Sequence, residues 1–274
     1  MADIQPAIHP APQDLYVHLS ERKMDFARYE LRREPYFAFS AFQLQRRMSL
    51  RANLKEACAS EAILQAPTRR LQVLVENGKP IAIPLADFRE EDCQKIYNYS
   101  IGTNEGCKIF YDIIAPAGIV LLFSVDKSVC KAMEDTFGAE VHYLSSLTPV
   151  VKHFTTKAYS GEFPTRLFIY LHETTADILL FNENRPVCIN SCFVQGCSDV
   201  AYYALGMLRN FVASAADVTL HVVADEASQR EAVCTELKKY APRVYAVNPS
   251  AEFNRNPVAT AQGITYDLIN LLLP

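Results

Sequence analysis

The chain has 274 residues, half of them hydrophobic and 21% charged, with a formal net charge of −4 and a mean hydropathy of −0.01. These values exclude an intrinsically disordered chain and supply apolar side chains for one large core or two modest ones. They also exclude bulk electrostatic attraction to nucleic acid, and no apolar run approaches the ~20 residues of a membrane span.

In chain order, Met1 to Pro12 holds three prolines and one acid but no basic-then-apolar secretion pattern. The expectation is a cytoplasmic protein with reduced thiols. Leu15 to Phe42 alternates in the manner of three strands joined by a tight polar turn and a longer turn ending in Pro35. Residues 21 to 55 carry nine Lys or Arg against four Asp or Glu, a local +5 that leaves −9 on the rest. A helix follows over Ser49 to Ile63, burying Leu50, Leu54, Ala57 and Cys58.

The stretch from about 64 to 117 reads as an insertion. It offers a hairpin of Leu71 to Glu76 with Ile81 to Leu85 around Asn77-Gly78, an acid-capped helix over Glu90 to Tyr99, and a strand over Lys108 to Ile114. Val120 to Asp126 is an apolar strand ending in an acid. Val129, Cys130, Met133 and Phe137 then mark a helix closed by Gly138, and Val141 to Leu144 a short strand.

The chain then repeats itself. Leu167 to Phe193 matches Leu15 to Phe42: Leu15 meets Leu167, Leu19 meets Leu171, Glu21 meets Glu173 and Asp25 meets Asp177. After a one-residue gap Pro35 meets Pro186, Ser40 meets Ser191 and Phe42 meets Phe193. A helix over Ser198 to Val212 follows, then a strand over Thr219 to Asp225 that parallels Val120 to Asp126. A helix carrying Cys234 and Leu237 and a strand over Val244 to Val247 complete the copy. The offset is 151 at the end of the meander, after the gap, and 99 at the later strands, so the first copy carries 52 extra residues between them. Hairpin-linked strands are antiparallel and strands joined through helices run parallel. The expected fold is therefore α/β: a mixed five-stranded sheet flanked by helices, present twice.

That tandem plan resembles the actin-like ATPase superfamily, with its duplicated ribonuclease-H-like halves. More closely, the chain is similar to a Bacteroidetes family of uncharacterised proteins with an actin-like ATPase fold. The resemblance rests on the two meanders, the strand-ending Asp126 and Asp225, and the tail FNRNPVATAQGITYDLINLLLP. It implies a first half over 1–157 and a second over 158–274, with a cleft between them. A C-terminal helix over about 259–273 would pack back on the first half.

The resemblance also implies where chemistry belongs. Active members place an acid, a glycine and a hydroxyl in each meander's first turn, so that bare backbone N–H groups meet phosphate and the acid holds Mg²⁺ through water. Here the turns read Ser20-Glu21-Arg22-Lys23 and His172-Glu173-Thr174-Thr175, without glycine. Where a glycine pair would bed adenosine, the chain has Ala224-Asp225-Glu226-Ala227-Ser228. The nucleotide-cleft candidates are Ser20, Glu21, Lys23, Glu173, Thr174, Thr175, Asp225 and Ser228, with no catalytic residue assigned. ATP and Mg²⁺ are not supported by the loops, so no cofactor is expected.

No zinc site is expected. Cys188 and Cys192 on one strand would stand ~13 Å apart. His142 and His153 lack a third ligand, and His172 beside Glu173 reads as a polar turn residue. The expected role is a catalytically degenerate scaffold that binds a protein partner through the 64–117 insertion, whose aromatics include Tyr97, Tyr99 and Phe110. The alternatives are a divergent ATP-binding protein or phosphotransferase, and a small-molecule sensor.

Overall fold

Two β-meanders seed two sheets of the same topology. The computed structural model describes residues 13–30, 36–76, 79–138, 140–157, 163–212 and 217–273. The first sheet grows from β1 (Gln13–Leu19), β2 (Lys23–Glu30) and β3 (Tyr36–Gln43), followed by α1 (Leu50–Ser60) and β4 (Thr68–Val75). Hairpin connections make β1, β2 and β3 antiparallel, whereas the helical crossover through α1 returns β4 parallel to β1, with Val17 opposite Val73. An excursion then forms β5 (Ile81–Pro84), α2 (Cys93–Ile101), β6 (Cys107–Ile114) and β7 (Ile119–Asp126). After α3 (Lys127–Phe137), β8 (Val141–Ser145) completes the sheet in the order β3-β2-β1-β4-β8.

α4 (Leu147–Thr156) leads to the second copy: β9 (Thr165–Leu171), β10 (Thr175–Asn182), β11 (Arg185–Phe193), α5 (Cys197–Phe211), β12 (Val218–Ala224), α6 (Ala227–Leu237) and β13 (Val244–Ala246). Its order is β11-β10-β9-β12-β13, the same plan as the first sheet. The short α7 (Pro249–Glu252) and α8 (Tyr266–Leu272) close the chain, and α8 packs on α4. The expected pair of mixed five-stranded sheets is present.

Two sequence matches need correction. The strand equivalent to β12 is β4, not Val120 to Asp126. That segment is β7, the middle strand of a separate antiparallel sheet ordered β5-β7-β6. Both β4 and β7 are apolar because both are buried, one inside the mixed sheet and one under helices, so composition alone does not separate them. The expected hairpin of Leu71 to Glu76 with Ile81 to Leu85 is accordingly absent: β4 pairs with β1 and β5 with β7, while Asn77-Gly78 lies outside the described residues. The segment between β4 and α3 spans 76–126.

The second correction is one of register. Met24 stands opposite Phe42 and Ala176 opposite Cys192, so Phe42 occupies the place of Cys192 rather than Phe193. Burial agrees, with Phe42 and Cys192 inside and Phe193 exposed. Likewise Ala41, not Ser40, holds the place of Ser191, opposite Asp25 and Asp177 respectively. A bulge in β11 at Val187 shifts the pairing there, and Pro35 lies outside the described residues.

The chain divides into two compact units, residues 1–75 with 127–143 and residues 76–126 with 144–274. In the first, Leu15, Val17, Met24, Phe26, Leu71 and Val73 of the strands are buried, as are Leu54 and Ala57 of α1 and Met133 of α3. One charge is set inside it. Arg28 is 1% exposed and donates to the carbonyls of Ile63, Ala66, Pro67 and Gln13 and to Thr68 Oγ1, over 2.7–3.3 Å. Its planar fork ties the β2 ladder to the α1–β4 connection.

In the second unit, Leu167, Ile169, Ile178, Leu180, Leu220 and Val222 pack against Ala204 and Leu208 of α5 and Leu237 of α6. The other face of that sheet carries an aromatic layer. Phe154 of α4 stacks on Phe168 at 3.6 Å, with Phe181 and Tyr266 against them. The inserted sheet belongs to this unit. Its Asp112 accepts the Ser145 N–H at 2.8 Å and the Thr148 hydroxyl, so β6 is fastened to the start of α4.

Candidate functional site

The residues singled out from the sequence sit at the first turn of each meander and at the end of β12. In the first unit, the turn from β1 to β2 closes on itself. The Ser20 hydroxyl accepts the N–H groups of Lys23 (3.1 Å) and Arg22 (3.4 Å), and donates to the Lys23 carbonyl at 3.2 Å. The Ser20 N–H also goes to the Lys23 carbonyl. Two backbone donors of this turn are therefore taken by a side chain of the same turn. The Lys23 ammonium turns inward to Asp25, 2.9 Å away and fully buried, with His18 Nδ1 3.4 Å from the same oxygen. Glu21 is exposed and lines a depression of about 470 Å³ with Leu44, Arg46, Met48 and Leu50.

The second unit's turn is built differently. His172 is 5% exposed, its backbone N–H donating to the Thr175 carbonyl at 2.8 Å. Its Nε2 lies 2.7 Å from Asp177 Oδ2, and its Nδ1 3.7 Å from Glu76 Oε2. Ser191 donates to the other Asp177 oxygen. Burial alone pulls this imidazole down, but the Asp177 carboxylate, helped by Glu76 and Asp267, outweighs it and raises the group to about 9. His172 is thus an imidazolium at neutral pH, caged by acids. Its ring lies 4.2 Å from that of Tyr170, whose hydroxyl donates to Asp267 at the start of α8 (3.3 Å). Burial, with Asp225 and Asp267 nearby, drives Tyr170 far above the ordinary phenol value.

The remaining candidates are more peripheral. Glu173 is exposed, and Thr174 and Thr175 are half-buried. The Thr174 carbonyl accepts the Val194 N–H at 2.9 Å, extending the β10–β11 ladder. Asp225 follows β12 and Ser228 lies in the first turn of α6, both exposed. The structure brings Asp225 within electrostatic reach of Tyr170. It assigns Asp126 elsewhere: the acid that follows β4, as Asp225 follows β12, is Glu76.

The buried His172–Asp177 pair was not legible as such, since the sequence pairs His172 with its neighbour Glu173. One signal did exist: a lone acid inside an apolar strand, Asp25 in β2 and Asp177 in β10, needs a basic partner, and each copy supplies one, the half-buried Lys23 and the buried His172. A further charged cluster surrounds Glu252. Burial pushes its carboxyl up, but hydrogen bonds from His153 (3.1 Å) and Lys157 (2.6 Å) prevail and hold it at about 2, while Tyr266 donates to its other oxygen. His153 serves as a partner of this carboxylate. Among the described residues, no three His, Cys, Asp or Glu side chains are placed to hold a metal ion. No described helix is long and apolar enough to cross a membrane.

Comparison with solved structures shows the fold. A Bacteroides thetaiotaomicron protein with an actin-like ATPase fold and unknown function superposes with a TM-score of 0.82 at 22% identity, covering 99% of this chain and 98% of that one. A chain of the PilM–PilN type IV pilus biogenesis complex superposes with a TM-score of 0.64 at 12% identity, over 96% and 98% of the two chains. No curated protein matches the sequence. The model of a protein family of unknown function, DUF3822, matches residues 6–244, and the chain belongs to that family.

Proposed function

We propose that this DUF3822 member is an actin-like protein that has given up nucleotide turnover and acts by holding a protein partner. The observation that carries the reading is the Ser20 turn. The N–H groups of Arg22 and Lys23 bond to the Ser20 hydroxyl, and the one ammonium in the turn is committed to Asp25. A phosphate there would have to break bonds the protein already makes, and exchanging a satisfied donor for a ligand contact yields little net free energy. The second turn supports the same reading, since its cation, His172, is buried against Asp177 and Glu76 instead of being presented to an anion. Neither ATP nor Mg²⁺ is required.

Partner binding has its own support. The pilus complex whose fold this chain shares is an assembly of two named proteins. The 76–126 segment adds a sheet and a helix to the duplicated plan and exposes apolar side chains: Tyr99 is 93% exposed, and Ile101 and Ile113 are also exposed. Of the other aromatics in that segment, Tyr97 is core, its hydroxyl bonding Lys79 O and Ser124 Oγ, and Phe110 stacks on Phe123. All eight cysteines are free.

The test is a thermal-shift and calorimetric titration with ATP and ADP, with and without Mg²⁺. A ligand at ~10 times its Kd stabilises the folded state by roughly 1.4 kcal/mol. The expected result is no shift at millimolar nucleotide. A Mg²⁺-dependent shift that disappears in Glu173→Gln would overturn the proposal.

A further inference from the structure

The duplication supplies an internal control for the two outer strands of the sheets. β3 and β11 hold the same position, each at the edge of a five-stranded sheet. Edge strands invite pairing with another chain, and proteins commonly block them with charges, proline, bulges or a covering element. β11 has three of these: Arg185, Pro186 and a bulge at Val187. β3 reads Tyr-Phe-Ala-Phe-Ser-Ala-Phe-Gln, with no charge and no proline in eight residues, and its register with β2 runs without a break.

The direction of its backbone groups follows from the ladder. Leu44 N–H donates to the Arg22 carbonyl at 2.7 Å, which makes 22 and 44 a hydrogen-bonded pair. In an antiparallel ladder such pairs alternate, so Ser40 and Phe42 also face β2, opposite Phe26 and Met24. Phe37, Phe39, Ala41 and Gln43 consequently direct their N–H and C=O groups away from β2, to the side where no described strand pairs with β3. Beyond Gln43 the edge runs into the depression of about 470 Å³, walled by the apolar Leu44, Met48 and Leu50. Its loop is held by the buried Asn53, whose amide bonds Gln45 N–H (2.7 Å) and the carbonyls of Gln45, Met48 and Ser49. Arg46 and Arg47 are exposed on that loop and Arg22 at the neighbouring turn, while Glu21 is the one acid in these two segments.

We infer that the β3 edge is a docking site for an extended segment of a partner protein that adds as a sixth, outermost strand. The segment alternates apolar and polar residues and carries acidic residues at the end that reaches Arg46 and Arg47. Four outward-facing residues give the main-chain bonds, the depression takes one apolar side chain, and the arginines fix the direction by charge. The inference takes the partner-binding reading further but does not depend on the absence of nucleotide chemistry.

The experiment selects ligands from a library of random twelve-residue peptides displayed on phage, using the whole chain as bait. Enriched peptides are then synthesised with a fluorophore for anisotropy and mapped by hydrogen exchange. The expected peptides are acidic and alternating, and they slow exchange at Phe37, Phe39, Ala41 and Gln43. Reversing both charges in Arg46→Glu/Arg47→Glu should weaken binding by about tenfold or more, and raised salt should act in the same direction. Ala41→Pro removes one outward donor and leaves the β2 ladder intact, so it should abolish binding while the unfolding midpoint stays in place. Failure to enrich any peptide, protection elsewhere, or binding indifferent to the arginine reversal would overturn the inference. The nucleotide titration separates the two proposals: peptide binding alongside Mg²⁺-dependent nucleotide binding sinks the non-catalytic reading alone, and neither ligand binding sinks the docking site alone.

Discussion

Asp177→Asn isolates the charge that keeps His172 protonated. The amide keeps the shape of the carboxylate and retains an oxygen for the Ser191 hydroxyl, so the loss is electrostatic. In the folded protein His172 titrates at about 9 against 6.5 for the free side chain. The folded value is raised, so the stabilisation is complete below about pH 6.5 and fades as the pH climbs through about 9. At about 1.4 kcal/mol per pKa unit, that displacement corresponds to roughly 3 kcal/mol at pH 6. Removing one member of a buried ion pair falls in the same range, about 3–5 kcal/mol. Urea unfolding of wild type and variant at pH 6 and pH 10 is the assay. The deficit should be about 3 kcal/mol at pH 6 and should shrink to about 1 kcal/mol, one hydrogen bond, at pH 10. A deficit equal at both pH values, or below about 1 kcal/mol at pH 6, would refute the reasoning, because the imidazolium would then contribute nothing beyond shape.

Four further outcomes are expected. Glu252 has a lowered carboxyl, so its contribution is present above about pH 4.5 and is lost as the pH falls through about 2; Glu252→Gln should cost about 2–3 kcal/mol at pH 7, and urea midpoints should converge with wild type near pH 2. Arg28→Lys replaces a five-donor fork by a point charge in the same buried site, and denaturant unfolding should show a loss of about 3 kcal/mol or more. Tyr97→Phe should lose about 1 kcal/mol, because two hydrogen-bond partners lie at its buried hydroxyl. Tyr99→Ser, at a residue 93% exposed, should leave the same midpoint within about 0.5 kcal/mol.

The meanders were legible because their alternation and their shared residues repeat at one spacing, which is the mark of a duplicated folding unit. The place of the insertion was not. Leu71 to Val75 and Val120 to Val125 are both short apolar runs, and whether such a run pairs parallel with β1 or antiparallel with β5 depends on partners far away in sequence. Each run also precedes an acid, Glu76 or Asp126, so the acid does not separate them either. The third-strand register slipped by one residue for a similar reason. Phe42 and Phe193 look alike in sequence, yet only Phe42 is buried, and side-chain alternation makes a one-residue slip reverse every face. The first turns were legible in composition but not in bonding: the missing glycines are visible in the sequence, whereas the capture of two N–H groups by Ser20 requires the folded turn. The His172–Asp177 pair joins residues five apart across a hairpin, a separation that carries no periodic signal.

The most direct test of a non-catalytic actin-like protein is turnover itself. Phosphate release from Mg²⁺·ATP should be followed for wild type and for Glu173→Gln, over a range of protein concentrations. Both should run at the rate of the protein-free control at every concentration. Release that rises in proportion to wild-type protein and falls by ~100-fold or more in Glu173→Gln would contradict the proposal, since a loss of that size marks a group taking part in the chemistry.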